Sequence, residues 1–161
     1  MNIENYDVVV IGGGPAGGQA SRTLAKKGHK VLLVERHESF ALNNFSSAGM
    51  TLEPLKEFNL PDSIIGSYWN DIVIQCTEES YHWKGNIKKG VVVDFEKLRQ
   101  FLADETIKHG GNVLMGHKYI KKEVIQDSVI IELLKTNKKK EPPSYHNLKL
   151  KLQFILEFFM Q

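Results

Sequence analysis

Between Tyr6 and Glu35 the chain runs through a short apolar segment, a glycine-rich turn, a helix-forming segment, a second apolar segment and an acid. The first apolar run, Val8 to Ile11, meets Gly12, and the second, Val31 to Val34, meets Glu35. Gly12, Gly14 and Gly17 stand in G-x-G-x-x-G spacing, and Glu35 follows Gly17 by 18 residues. Short runs bounded by turn residues predict buried parallel strands at 5–11 and 30–34, with a helix over 15–27 between them and Gly28 as its C-cap. Strand, glycine turn, helix, strand and acid together form the dinucleotide-binding fingerprint in the context that gives it meaning.

Each position in the turn has a physical task. Gly12 turns the chain sharply off the first strand, where a Cβ would clash. Gly14 lets a pyrophosphate reach the backbone, and Gly17 lets the helix lie close to the sheet. Pro15 suits the first helical turn, where its missing N–H costs nothing. The free N–H groups of that turn combine with the helix dipole to favour an anion. Ala16, Ala20 and Leu24 share a helical face expected to lie against the strands. The Glu35 carboxylate can accept from a ribose 2′-OH and would repel a 2′-phosphate. A glycine turn without a ligand is the plainer alternative; the flanking strands, the helix phase and Glu35 all weigh against it.

The motif also resembles a known family. GGGPAG close to the start of the chain, followed by VLLVER, is similar to two-dinucleotide-fold flavoproteins, and within them to the geranylgeranyl reductase and aromatic-ring hydroxylase branch. The resemblance is specific over residues 5–36 and looser to 134. It implies an α/β, Rossmann-like FAD-binding domain, a parallel sheet with a β-meander. By resemblance Gly12, Gly13, Gly14, Pro15, Ala16 and Gly17 hold the FAD pyrophosphate and Glu35 the adenosine ribose. Arg36 lies beside the adenine or bridges to the phosphates. NAD(P)H is the implied reductant in full-length relatives, with an unsaturated isoprenoid or oxygen receiving the electrons.

Composition sets the remaining bounds. At 161 residues the chain is one domain or part of one, and 42% apolar with 25% charged residues suits a soluble globular protein. A net charge of +2 gives no reason to expect a nucleic-acid partner. The charge is uneven: from Lys135 onward there are six Lys and two Glu. Cys76 is the single cysteine, in the apolar run DIVIQC, and is expected to be a buried, inert thiol. No basic segment leads into a long apolar run at the N-terminus, and no run reaches the ~20 residues of a membrane span. A cytoplasmic location is the expectation by default.

Beyond Glu35 the pattern changes. Arg36 to Met50 is polar and loop-like; Asn43, Asn44, Ser46 and Ser47 there are open between flavin contacts and plain solvation. A short helix is predicted over 52–58, and a hairpin over 71–75 and 80–83. Trp69, Tyr81 and Trp83 are candidates to line a substrate surface, but the strand spacing of Tyr81 and Trp83 favours packing for those two. A strand at 91–93 precedes Asp94, which caps a helix over 95–108 with Leu98, Phe101, Leu102 and Ile107 as its apolar stripe. A strand follows at 112–115, which by resemblance lies beside the first strand. Relatives often carry Arg near the start of this helix; Phe95 stands there, with Arg99 one turn on. Residues 119–125 and 129–134 are expected to form a hairpin of the meander.

The first 134 residues thus correspond to the N-terminal part of the flavoprotein domain, and 135–161 to a divergent basic and apolar tail. The tail is open between an edge strand, an amphipathic helix and a partner-binding segment, with a membrane-surface role as a lesser alternative. The Gly-Asp pair that closes the flavin site in relatives is missing, and so is their substrate domain. A truncated form and a short standalone relative both fit that pattern. No zinc spacing, G-x-S-x-G or H-E-x-x-H motif occurs. No catalytic side chain is assigned, because a flavin would bring the redox chemistry itself. The competing readings are an NAD-dependent Rossmann dehydrogenase and a non-catalytic module binding a nucleotide or a partner. The long stretch from Arg36 to Gly90 argues against the dehydrogenase.

Overall fold

The computed structural model describes residues 5–44, 46, 48–126 and 128–136, and the backbone of 145–150 and 154–157. In chain order the elements are β1 (Val8–Ile11), α1 (Pro15–Lys26), β2 (Val31–Val34), β3 (Gly49–Thr51), α2 (Glu53–Glu57), β4 (Ile65–Trp69), β5 (Ile72–Gln75), β6 (Ser80–Trp83), β7 (Gly90–Val93), α3 (Phe95–Lys108), β8 (Asn112–Leu114), β9 (His117–Ile125), β10 (Ser128–Lys135), β11 (Tyr145–Leu150) and β12 (Phe154–Glu157). They fall into two compact units, Met1–Asn43 with Arg99–Gln161, and Asn44–Leu98.

The first unit is built on a four-stranded parallel sheet in the order β12-β1-β2-β8. Every residue of β1 and β2 is buried, which is why both segments are apolar throughout. Their alternation divides the core in two. Val8, Val10, Val31 and Leu33 join Ala25 of α1 on one side. Val9, Ile11, Leu32 and Val34 pack with Tyr6, Ile131 and Leu133 on the other, beneath the antiparallel sheet β11-β10-β9. Each such fully buried Val or Leu contributes about 1.5–3 kcal/mol.

Two expectations about this unit need correction. The strand at 112–114 lies beside β2, with Leu32 opposite Asn112, and not beside β1. The other edge of β1 is taken by β12, with Val8 opposite Phe154. The buried face of α1 also differs in part: Leu24 packs against the sheet core and Gly17 is buried, both as expected, but Gly18, Ser21, Arg22 and Ala25 are buried as well, while Ala16 is exposed and Ala20 only half-buried. Close approach selects this face. A Cβ on Gly18 would come within 2.9 Å of Leu102 in α3, and the Arg22 guanidinium lies 5.0 Å over the Phe101 ring. On α3, Leu98 and Leu102 are buried as expected, but Ile107 is 55% exposed.

Segments assigned to the tail by sequence take part in this unit. β11 pairs antiparallel with β10, and β12 completes the parallel sheet. The side chains of 137–161, on which a membrane-surface role would depend, lie outside the described residues. Among the described residues no helix is long and apolar enough to cross a membrane.

The second unit holds an antiparallel sheet in the order β3-β7-β4 and the hairpin β5-β6. β3 and β4 were not anticipated, and β7 belongs to this sheet, so β7-α3-β8 is not a crossover within one sheet. Trp69 packs within this sheet: its Nε1 donates to the Val91 carbonyl at 3.3 Å and its ring covers Gly90. Tyr81 and Trp83 stack on one another at 6.1 Å between ring centres, yet each stays about half exposed. Cys76 is exposed rather than buried, because β5 ends at Gln75 and Cys76 enters the turn, donating its N–H to the Glu79 carbonyl at 2.8 Å.

Candidate functional site

The glycine turn forms where β1 ends. Gly12 donates to the Val34 carbonyl at 2.8 Å and takes φ +105°, a left-handed conformation that a side chain would resist. Gly17 then brings α1 against this turn: an added Cβ would stand 1.9 Å from the Gly12 carbonyl oxygen. Gly14 is the extended N-cap, Pro15 opens the helix, and no acid occupies the first turn. The first N–H of α1 to reach a carbonyl is that of Gly18, which meets Gly14 at 2.8 Å. Among the described residues the N–H groups of Gly14, Ala16 and Gly17 have no hydrogen-bond partner. Nothing lies within 4 Å of where a Gly14 Cβ would be. Unpaired donors, a helix N-terminus and open space at a glycine suit a phosphate group.

Glu35 sits directly behind this turn and is 95% buried. Its backbone is held by β8 and β9: its N–H donates to Leu114 and its carbonyl accepts from His117, both at 2.9 Å. Its carboxylate is held on both oxygens. Oε2 accepts the Gly13 N–H at 2.8 Å and lies 3.6 Å from Arg99 Nη2. Oε1 accepts the His37 N–H at 2.9 Å and the His37 ring Nδ1–H at 2.8 Å.

Arg99, 4% exposed, ties the site together from α3. Its Nε donates to the Gly13 carbonyl at 3.1 Å, and its Nη1 to the carbonyls of Phe40 and Leu42 at 3.3 and 3.2 Å. The guanidinium lies 4.9 Å over the Phe40 ring. Gly13, Glu35 and Arg99 thus close a ring of contacts: the Gly13 N–H reaches Glu35, its carbonyl receives Arg99, and the two charges face each other.

Of the residues singled out by sequence, the structure brings Gly12, Gly13, Gly14, Pro15, Gly17 and Glu35 together. Ala16 is exposed at the start of α1, and Arg36 is exposed, its carbonyl accepting from Thr136 Oγ1 at 2.8 Å. His37 was missed as part of the site. Arg99 was noted only as the arginine one turn beyond Phe95, where relatives often carry one, and not as the partner of Gly13 and Glu35; it also interrupts the apolar stripe of α3 between Leu98 and Leu102. Among the described residues no group of acids, histidines and cysteines is placed to hold a metal.

A parallel β-α-β unit with a glycine turn and a buried acid after the second strand defines the class as a dinucleotide fold. Within it the chain belongs to the FAD dependent oxidoreductase family, whose model matches residues 7–146. A digeranylgeranylglycerophospholipid reductase from Haloferax volcanii is 29% identical over 147 residues, covering 80% of this chain and 35% of that protein. A chloroplastic geranylgeranyl diphosphate reductase from Nicotiana tabacum is 43% identical over 128 residues, 72% of this chain and 25% of its own length. The crystal structure of a geranylgeranyl bacteriochlorophyll reductase-like protein from Thermoplasma acidophilum shares the fold, with a TM-score of 0.81 at 22% identity. It covers 97% of this chain and 39% of that one. The chain therefore spans a quarter to two fifths of these relatives.

Proposed function

We propose that this chain binds the ADP moiety of FAD. The pyrophosphate takes the N–H groups of Gly14, Ala16 and Gly17, and the ribose hydroxyls donate to Glu35. Arg36, exposed just after β2, remains the candidate neighbour of the adenine. The observation that carries this reading is the open space at Gly14 beside unpaired helix N–H groups, with a buried acid behind the turn. A bound flavin supplies electron transfer; the residues described here bind and orient it. The family membership and the named reductases support an isoprenoid double bond as the substrate of an enzyme built on this unit. We propose NAD(P)H as its reductant and the cytoplasm as its location. The residues on hand serve the adenosine end, so ADP and FAD should bind with similar affinity.

Calorimetric titration of the purified chain with ADP and FAD tests this. Both should bind, and Glu35→Ala should weaken both by about 1–3 kcal/mol, the cost of losing charge-assisted hydrogen bonds. Absence of binding by either nucleotide overturns the proposal.

A further inference from the structure

We infer that the ribose reaches Glu35 Oε1 by displacing the His37 ring, so that His37 is a built-in competitor for the nucleotide. This rests on the reading of Glu35 as the ribose acceptor and concerns how that acceptor is regulated. An ionised carboxylate offers about four lone-pair sites. In this structure three donors already bond to them: the Gly13 N–H on Oε2, and the His37 N–H and ring on Oε1. Oε2 also faces the Arg99 guanidinium, an ion pair at 3.6 Å, so Oε1 is the oxygen whose bonds can be exchanged.

These groups differ in how readily they leave. The Gly13 N–H is fixed by the turn that forms the phosphate cradle. The His37 N–H is fixed by its own backbone, whose carbonyl accepts the Gly116 N–H at 2.9 Å. Arg99 is buried and held by three carbonyls besides Glu35. The His37 imidazole is the exception: its side chain is 24% exposed, and rotation about its side-chain bonds frees Oε1 without moving the backbone. To donate to Oε1 the ring must carry its proton on Nδ1, so a ribose hydroxyl that replaces it also releases Nδ1–H to solvent. Binding thus exchanges one hydrogen bond for another at Oε1, and the ring bond it breaks lowers the net affinity.

The test compares ADP with 2′,3′-dideoxy-ADP, which lacks both ribose hydroxyls, by calorimetry on wild type, His37→Ala, Glu35→Ala and the double variant. His37→Ala should bind ADP about two- to tenfold more tightly, the equivalent of one net hydrogen bond. Its affinity for the dideoxy nucleotide should not change, and the gain should vanish when Glu35 is Ala. In wild type, ADP should shift the ¹⁵N resonance of the His37 ring Nδ1, a readout that needs no variant. If wild type prefers ADP over the dideoxy form, but His37→Ala gains nothing and the ring resonance stays put at saturation, the exchange is overturned and the ribose role of Glu35 stands. If wild type does not discriminate between the two nucleotides, the ribose role falls and the exchange falls with it.

Discussion

Replacing Gly17 by Ala puts a methyl group 1.9 Å from the Gly12 carbonyl oxygen, 3.1 Å from its carbon and 3.4 Å from Val10 Cγ1. Ordinary contact begins near 3.4 Å, so α1 must withdraw by about 1.5 Å from a turn that is itself held by Val34. In an unconstrained helix the same change would stabilise by about 1 kcal/mol. Here the gain is outweighed, because overpacking a fitted interior costs about 1–3 kcal/mol or more, and the retreat also loosens Gly18 from Leu102 and Ala25 from the sheet. A net loss of about 2–3 kcal/mol is expected, or about 5–10 °C in melting temperature for a chain of this size. Gly14→Ala is the control. Gly14 has φ −73° and ψ 178°, which any residue adopts, and open space around it. Its stability should change by less than about 0.5 kcal/mol, while ADP affinity falls at least about tenfold because the methyl fills the phosphate position. Thermal melts and calorimetry on both variants separate the two roles. A Gly17→Ala protein that melts like wild type would refute the close approach. A Gly14→Ala protein that binds ADP normally would place the phosphate elsewhere.

Arg99→Met should destabilise the chain by about 3 kcal/mol in urea unfolding, because it strips the counter-charge from buried Glu35 and three carbonyls of their donor. Arg99→Lys should recover less than half of the loss, since an ammonium lacks the planar fork that reaches several acceptors at once; full recovery would reduce the role of Arg99 to charge alone. Glu105 of α3 takes a hydrogen bond from Lys108 and a second from Lys26 of α1, and these cations lower its carboxyl from 4.5 to about 2. A lowered folded-state value means stability that is present above about pH 4.5 and lost as pH falls towards 2. The pairs reach solvent, so the loss should be at most about 1 kcal/mol. It should be missing from a Glu105→Gln protein in acid unfolding curves.

What the sequence disclosed depends on how local the cause is. β1, α1, β2 and the glycine turn are legible because apolar runs, G-x-G-x-x-G spacing and Glu35 lie within 30 residues and each has a local reason. The packed face of α1 was only partly legible: the motif marks Gly17 as a point of close approach, but Gly18 gives no hydrophobic signal, yet it sets the approach to Leu102. The place of β8 is a matter of which strand edge is free, and a run such as Asn-Val-Leu does not record its neighbour. β3 and β4 were missed because Gly-Met-Thr and Ile-Gly-Ser-Tyr-Trp lack the alternation that marks a strand. Arg99 meets Gly13 across 86 residues of chain, so the resemblance and its intrusion into an apolar stripe could single it out but not name its partners. His37 gave no hint at all, because its partner is defined by a carboxylate whose direction is set by the Gly13 N–H.

The tail provides the sharpest difference between a reading by composition and one by pairing. Its charge, its Pro142-Pro143 pair and its lost resemblance suggest a segment that can be removed. The pairing suggests the opposite. β12 runs parallel to β1 over all four of its residues, and β11 pairs with β10 over six. Without β12, one edge of β1 would present its peptide groups to water. Each hydrogen bond lost there is worth about 1 kcal/mol, and several are lost together. Deleting 151–161 should therefore lower stability by at least about 2 kcal/mol, and deleting 135–161 should lower it further and promote association through the exposed strand edges. Urea unfolding followed by circular dichroism, with light scattering to detect association, measures both. If the shorter chain of residues 1–134 unfolds at the same urea concentration as the whole and stays monomeric, the two pairings contribute nothing, and residues 1–134 form a self-sufficient nucleotide-binding unit.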